Sequence, residues 1–502
     1  MAARKRPVVW LLKPLLILVL CVACSLILVR STLIAKARTL RISPETTVLL
    51  EVDPNGKLPY LQTYLGHLTD VVPEDDDAGV VLARLGSADS ISWDDFWDYV
   101  SNQQANLWKE TQKVYFISPS RLIRILEDEG GLEPFHFDST LTEKQLDEQL
   151  AAATASPWNP DDDPVLAEWL QRNDAVLRLG KTVCLCSRHT VSPPRPDERI
   201  LSWWDPNVER YEEISQLLAC RAQSRIAAGQ WDLALSDALA CRDLARLAGQ
   251  CPGTIHYMKA RRIELRSMRL LSALATTTAG ESARLAELQR HTVQPRVLPS
   301  LAEVIDQQER LVFLEMCFML SRFPASKENE LLIEESQSVR EAARAGTDWN
   351  IVMETWNRQI DELVSILNEP DFPMQTALLK GLTDRLTDKA QGARVSIIRT
   401  ILHVAPESET SAARLCRLFI PGLVLPAQGE QERSAIQTET AILISIHQFK
   451  ADYGRWPESL SQLVPKYLSE IPRNPNTQQS PEYHANGGTF TLETVVTSST
   501  EE

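Results

Sequence analysis

The chain has 502 residues, 44% hydrophobic and 24% charged, the balance of a globular protein with room for about three domains of roughly 150 residues each. Its net charge is unevenly spread: residues 1–41 hold eight basic and no acidic side chains, so removing that +8 from −15 leaves −23 on the remaining 461 residues. A body this acidic repels phosphate backbones and excludes nucleic acid as a partner.

Residues 1–43 are expected to form a basic tail, a transmembrane anchor and a basic flank. Val8 to Val29 is a 22-residue apolar run broken in charge only by Lys13. At ~1.5 Å per residue it spans about 33 Å as a helix, enough for a bilayer core. Lys13 lies near the end, where it can snorkel, and Pro14 falls in the first turns. A cleaved signal peptide would need small residues at a cut site, yet Ser25-Leu26-Ile27-Leu28-Val29 carries the apolar run onward. A lipoprotein cut before Cys24 has Ala23 in its favour, but Cys21 stands where an aliphatic residue is usual. Arg4, Lys5, Arg6 and Lys13 balance Arg30, Lys36, Arg38 and Arg41, so flanking charge does not orient the span. The short N-terminal tail favours an N-inside signal anchor with the body outside the cytoplasm.

Residues 44–190 read as helices separated by polar breaks. Glu74-Asp75-Asp76-Asp77 and Asp161-Asp162-Asp163-Pro164 suit helix N-termini, and neither has the interleaved acids of a calcium loop. Residues 191–207 are a Pro-rich loop holding Trp203-Trp204, which packing onto the helices would bury. Residues 208–420 are expected as a helical-hairpin domain. Trp231, Ala234, Leu235, Ala238, Cys241, Ala245 and Ala248 share one helix face, mostly small, which admits a close neighbour. Ile214, Leu217, Leu218, Ala222 and Ile226 mark the preceding helix. Gly229, Trp231 and Ala234 look like the turn and second-helix start of a tetratricopeptide repeat, without a second copy at that period. Further helices are expected at Leu301–Phe323, Leu331–Ala345, Trp349–Leu367 and Val395–Val404, the stretch Leu311–Leu320 as a buried core helix.

No set of residues points to catalysis, a cofactor or a metal. Gly180-Lys181-Thr182 resembles the tail of a phosphate-binding loop, but Trp169–Leu179 before it is helical in pattern and Ala175 stands where the motif's first glycine would be. Cys184-Leu185-Cys186 with His189 lacks a second ligand pair at zinc-like spacing. Of nine cysteines, Cys21 and Cys24 lie in the anchor and seven are scattered, so no disulfide framework is indicated.

Pro421-Gly422 and Pro426-Ala427-Gln428-Gly429 make 421–431 a linker, and 432–502 a small α+β module. Ile442, Ile446, Phe449 and Tyr453 form one helical stripe that Gly454 ends. Ser459–Leu468 reads as a shorter helical segment, and Tyr483 with Phe490 and Leu492 flanks a hairpin turn at Ala485-Asn486-Gly487-Gly488. The order Tyr453-Gly454-Arg455-Trp456-Pro457, Leu460, Leu463-Val464-Pro465, Tyr467-Leu468, Pro472 and Pro475 resembles the globular domain of the type II secretion G-type pseudopilin. The whole layout resembles a family of uncharacterised bacterial single-pass membrane-anchored proteins with a helical body and this ending. The resemblance implies a bacterial inner-membrane location and supplies no activity. Two pseudopilin features are missing here: a processing site with a following Glu before the membrane helix, and acidic calcium ligands near the hairpin, since no Asp follows Asp452. The expectation is therefore a mainly α, membrane-anchored, non-enzymatic scaffold or interaction protein of the cell envelope. It would bind the membrane through residues 8–29 and would have other envelope proteins as partners. An accessory part of a secretion system and an envelope enzyme of unrecognised type are the alternatives.

Overall fold

The computed structural model of the protein describes residues 40–51, 58–70, 72–73, 76–87, 113–128, 143–191, 199–200, 203, 205, 207–278, 280–292, 298–322, 347–391, 408–486 and 488–493. It is mainly helical with little strand. The expected span at 8–29, the helices at 331–345 and 395–404, and Trp204 lie outside the described residues. Among the described residues no helix is long and apolar enough to cross a membrane.

The first described residues are a strap lying across a helix more than 300 positions away. Arg41 donates its backbone N–H to Asn350 Oδ1 at 2.7 Å, and Asn357 Nδ2 donates to the carbonyls of Glu45 and Thr46, both at 2.9 Å. Helix α1 (Tyr60–Leu65) follows, then α2 (Ala78–Leu82), whose N-terminus Asp77 caps by accepting from Gly79 N. The acidic helix start was legible from the sequence.

Residues 44–190 are not all helix and loop. Strand β1 (Leu85–Ser87) pairs in parallel with β2 (Val114–Phe116), Leu85 opposite Val114. Three-residue strands cannot display an alternation long enough to be read. Next come α3 (Pro119–Asp128), α4 (Glu143–Ala155), α5 (Pro164–Arg172) and α6 (Asp174–Leu185). Asp163 caps α5 by accepting from Leu166 N, with Pro164 in the first turn. Fully buried Asn173 joins α5 to α6 and meets both backbone groups of Ile117: Oδ1 accepts its N–H at 2.9 Å and Nδ2 donates to its carbonyl at 3.1 Å. The end of β2 thus finds the partners that a buried backbone requires.

The centre is a stack of helices α7 (Asn207–Ala227), α8 (Trp231–Ala248) and α9 (Thr254–Thr277). Gly229 makes the α7–α8 turn at φ +69, left-handed backbone that glycine adopts without a Cβ penalty. The small face of α8 is buried at Ala234, Ala238, Cys241, Ala245 and Ala248. Across the hairpin, Arg221 Nη2 and Arg225 Nη1 reach the two oxygens of buried Asp237 at 2.6 and 2.5 Å.

Helix α10 (Ser282–Thr292) leads to α11 (Leu301–Val304), a π-helical turn (Ile305–Glu309) and α12 (Arg310–Arg322), where one continuous helix was expected. The π turn has a use: Gln308 Oε1 and Glu309 Oε1 accept from Gly253 N and Thr254 N, each at 2.6 Å, closing the N-terminus of α9. Leu311, Phe313, Leu314, Met316, Cys317, Phe318 and Leu320 are buried, so α12 is a core helix.

Helices α13 (Trp349–Leu367) and α14 (Phe372–Gln391) precede α15 (Ser408–Tyr453), 46 residues and, at ~1.5 Å per residue, about 69 Å long. The break expected at 421–431 is absent, because Pro421 and Pro426 lie inside α15. A mid-helix proline costs about 3 kcal/mol in isolation. Burial of Ile420, Leu423 and Ala427 opposes that cost, and Arg261 Nη1 donates to the Pro426 carbonyl at 3.1 Å. Gly429 belongs to the same contact, since a Cβ there would overlap the Arg261 guanidinium. Helix α15 packs against α9, α10, α13 and α14.

Past Tyr453 the chain makes a short 3-10 turn at Leu460–Leu463 in place of the longer helical segment expected over 459–468. An antiparallel hairpin follows, β3 (Glu482–Asn486) and β4 (Thr489–Glu493), with Tyr483 opposite Leu492.

Candidate functional site

The polar side chains that converge most tightly lie deep in the body. His189 is in an extended segment after α6, pinned to the start of α2: Ala78 N donates to Arg188 O at 2.8 Å, and Thr190 N to Asp77 Oδ1 at 3.1 Å. Asp205 sits two residues before α7 and accepts from Asn207 N at 2.9 Å, a position where unpaired helix N–H groups favour a carboxylate. Tyr211 is one turn into α7, and Cys251 lies in the turn between α8 and α9.

His189 Nε2 and Asp205 Oδ2 are 2.6 Å apart, Tyr211 OH is 3.0 Å from His189 Nδ1, and Cys251 Sγ donates to Asp205 Oδ2 at 3.5 Å. The ionised carboxylate only accepts, so Nε2 carries the imidazole proton and Nδ1 accepts from Tyr211. His189, Asp205, Tyr211 and Cys251 are 0, 3, 0 and 2% exposed. Burial pushes the Asp205 carboxyl up, but the hydrogen bonds from His189, the Asn207 N–H and the Cys251 thiol together hold it below its ordinary value. Burial, then the neighbouring Asp205 charge, raises the Cys251 thiol well above its usual value; burial does the same to the Tyr211 phenol.

Cysteine, histidine and aspartate are the residue types of a thiol hydrolase, but the order is wrong. Such an enzyme places the thiol against the imidazole and the carboxylate behind it. Here the carboxylate is central, the thiol is held protonated against it, and all four side chains are sealed from solvent. Among the described residues His189, Asp205 and Cys251 are the one set of three His, Cys, Asp or Glu side chains whose ligand atoms gather within 4.8 Å of one another.

Sequence reasoning considered His189 beside Cys184 and Cys186, and the structure separates them. Cys184 donates to the Ala240 carbonyl at 3.4 Å and Cys186 to the Thr182 carbonyl at 3.7 Å. Gly180-Lys181-Thr182 lies within α6, with Gly180 against Ile214, so the glycine serves helix contact and not phosphate binding. Trp203 packs edge-on to Tyr64 and His256 at 6.0 Å. Asp205 could have been marked as a helix start by Asp-Pro-Asn, but no local spacing joins it to Cys251.

Leu460, Leu463 and Leu468, which carry part of the pseudopilin resemblance, join Ile442, Ile446 and Phe449 in a core separate from that of the body. Trp456, Val464 and Tyr467 pack against it, and Gly454 closes α15 at φ +71, its N–H bonding Lys450 O at 2.8 Å. Pro457 is buried and its carbonyl accepts from Tyr483 OH at 2.8 Å; Pro472 and Pro475 are half-buried, Pro465 exposed. Tyr453, expected in the buried stripe, is 55% exposed beyond Phe449. Polar bonds link the module to the body, Ser282 Oγ to Asp452 Oδ1 at 2.8 Å and Gln289 Nε2 to the Tyr467 carbonyl at 3.3 Å.

A groove of about 1130 Å³ lies between the strap, the π turn and α13, lined by Arg41, Glu45, Asp306, Arg310, Glu354 and Arg358 among others. Within it Arg310 pairs with Asp306 and Asp361, and Arg41 with Glu354. Compared with known protein families, curated proteins and solved structures, the chain matches none.

Proposed function

We propose that this protein is a membrane-tethered, non-enzymatic scaffold of the bacterial cell envelope, presenting its pseudopilin-like module to a partner protein. The observation that carries the reading is α15. Its earlier part packs among α9, α13 and α14, and its last turns supply Ile442, Ile446 and Phe449 to the module's core. A module built on the end of a helix gripped by the body is held on a fixed arm. Both hairpin strands lie with most side chains exposed, so they offer a surface and backbone edges to a partner. The apolar run 8–29 supports the tether, and the net −23 beyond residue 41 argues against a nucleic-acid role. The burial of His189, Asp205, Tyr211 and Cys251 away from solvent supports a role without catalysis.

Photo-crosslinking residues introduced at His484 and Thr491 of the full chain, in intact cells, test this reading. The same envelope protein should be captured from both positions, and the chain should stay with carbonate-washed membranes. A secretion-system component in the adduct would narrow the role to the accessory one. Recovery in the soluble fraction, or no adduct from either position, would overturn it.

A further inference from the structure

We propose that His189 Nε2, Asp205 Oδ2 and Cys251 Sγ together bind one divalent transition-metal ion of the zinc class. This is independent of the scaffolding role. The three side chains come from three separate places in the chain, are buried, and bring their ligand atoms within 4.8 Å of one another.

Tetrahedral ligation with metal–oxygen and metal–sulfur bonds of ~2.0 and ~2.3 Å sets an O···S edge of about 3.5 Å and an N···O edge of about 3.3 Å. The Asp205 Oδ2–Cys251 Sγ separation is already 3.5 Å. His189 Nε2 and Asp205 Oδ2, now 2.6 Å apart, must open by about 0.7 Å to admit the ion. One imidazole, one carboxylate and one thiol make a mixed set that suits zinc or cobalt and excludes magnesium and calcium.

The outward atoms are already supported. Tyr211 OH lies 3.0 Å from Nδ1, and Asn207 N–H holds Oδ1 at 2.9 Å, the kind of outer contacts that orient ligating histidines and carboxylates. Charge also favours the ion. Without it the site buries a carboxylate opposed only by hydrogen-bond donors; with it, two cationic charges meet a carboxylate and a thiolate and the sum is zero. The protons balance as follows: the Cys251 thiol proton leaves to solvent, and His189 moves its proton from Nε2 to Nδ1, donating to Tyr211. The three side chains supply three of the four tetrahedral positions, and a water carried in with the ion would take the fourth.

The test uses the full chain, extracted in detergent and purified without chelators or a histidine tag. Elemental analysis should find about one zinc-class ion per chain, and Co²⁺ alone should give a thiolate-to-cobalt band in the near ultraviolet. Cys251→Ser keeps a hydroxyl on Asp205, and should abolish the band and weaken binding by at least about tenfold. X-ray absorption on the wild-type chain, which does not depend on the variant folding, should show one sulfur among nitrogen and oxygen neighbours. A wild-type chain without metal and without a cobalt band at saturation would overturn the site. So would a band that persists in Cys251→Ser, or an absorption spectrum with no sulfur or with several.

Discussion

His447 lies in the module's core on the last turns of α15, 6% exposed, with its ring edge-on to Trp456 at 5.3 Å and Phe490 at 5.8 Å. Neither ring nitrogen has a hydrogen-bond partner among the described residues. Burial, then the Lys450 charge, lowers its pKa from the ordinary 6.5 to about 4. The unfolded chain therefore binds more protons than the folded one between those values, and stability falls as the medium acidifies. His447's contribution is whole above pH 6.5, is lost as pH falls towards 4, and amounts to roughly 3 kcal/mol over the full window. At pH 5 the loss is about 2 kcal/mol, close to a thirtyfold increase in opening of the module. Hydrogen exchange of peptides from 442–468 in the full chain, corrected for intrinsic rate, measures it at pH 7 and pH 5. His447→Leu removes the titrating ring, so the variant should show little of the acid-induced opening. Equal pH dependence in wild type and variant would refute the reasoning.

Asp237→Ala should leave Arg221 and Arg225 facing each other at a largely buried site and lower stability by roughly 2–4 kcal/mol, read by urea unfolding. Gly229→Ala puts a Cβ on backbone at φ +69 with open space around it, so the cost should be about 1 kcal/mol and wholly conformational. Gly180→Val should force α6 off Ile214 and cost roughly 1–3 kcal/mol by thermal unfolding; an unchanged midpoint would sink the close-contact reading. Gly429→Ala should displace Arg261 from the Pro426 carbonyl and raise exchange in α15 around 420–430; unchanged exchange there would mean the contact does not support the prolines.

Trp349–Leu367 was legible to both ends because Asp348 caps it and Trp349, Val352, Met353, Trp356, Ile360 and Leu363 recur at helical steps. The α7–α8 hairpin was legible for a similar reason: periodic faces meet at a glycine turn. What escaped depended on partners remote in sequence. Pro421 and Pro426 read as a break because a local rule counts the missing N–H and not the burial of Ile420 and Leu423 or the donor from Arg261. Strand β1 is defined by a β2 partner 29 residues on, at Val114 for Leu85. Of the candidate site only His189 was noticed; Asp205, Tyr211 and Cys251 gather around it only once the turn after α8 comes back over the start of α7.

The strap at residues 40–51 also bears on the order in which the chain can fold as it is made. Asn350 and Asn357 lie 309 and 311 positions after the residues whose backbone they meet, Arg41 and Thr46. At roughly 5–20 residues per second, the ribosome takes about 15–60 s between the two. Throughout that interval Thr46 and Thr47, fully buried in the finished protein, have no α13 to cover them. Residues 40–51 are thus made early and covered late, and a chaperone that shields them during synthesis would act through that whole interval.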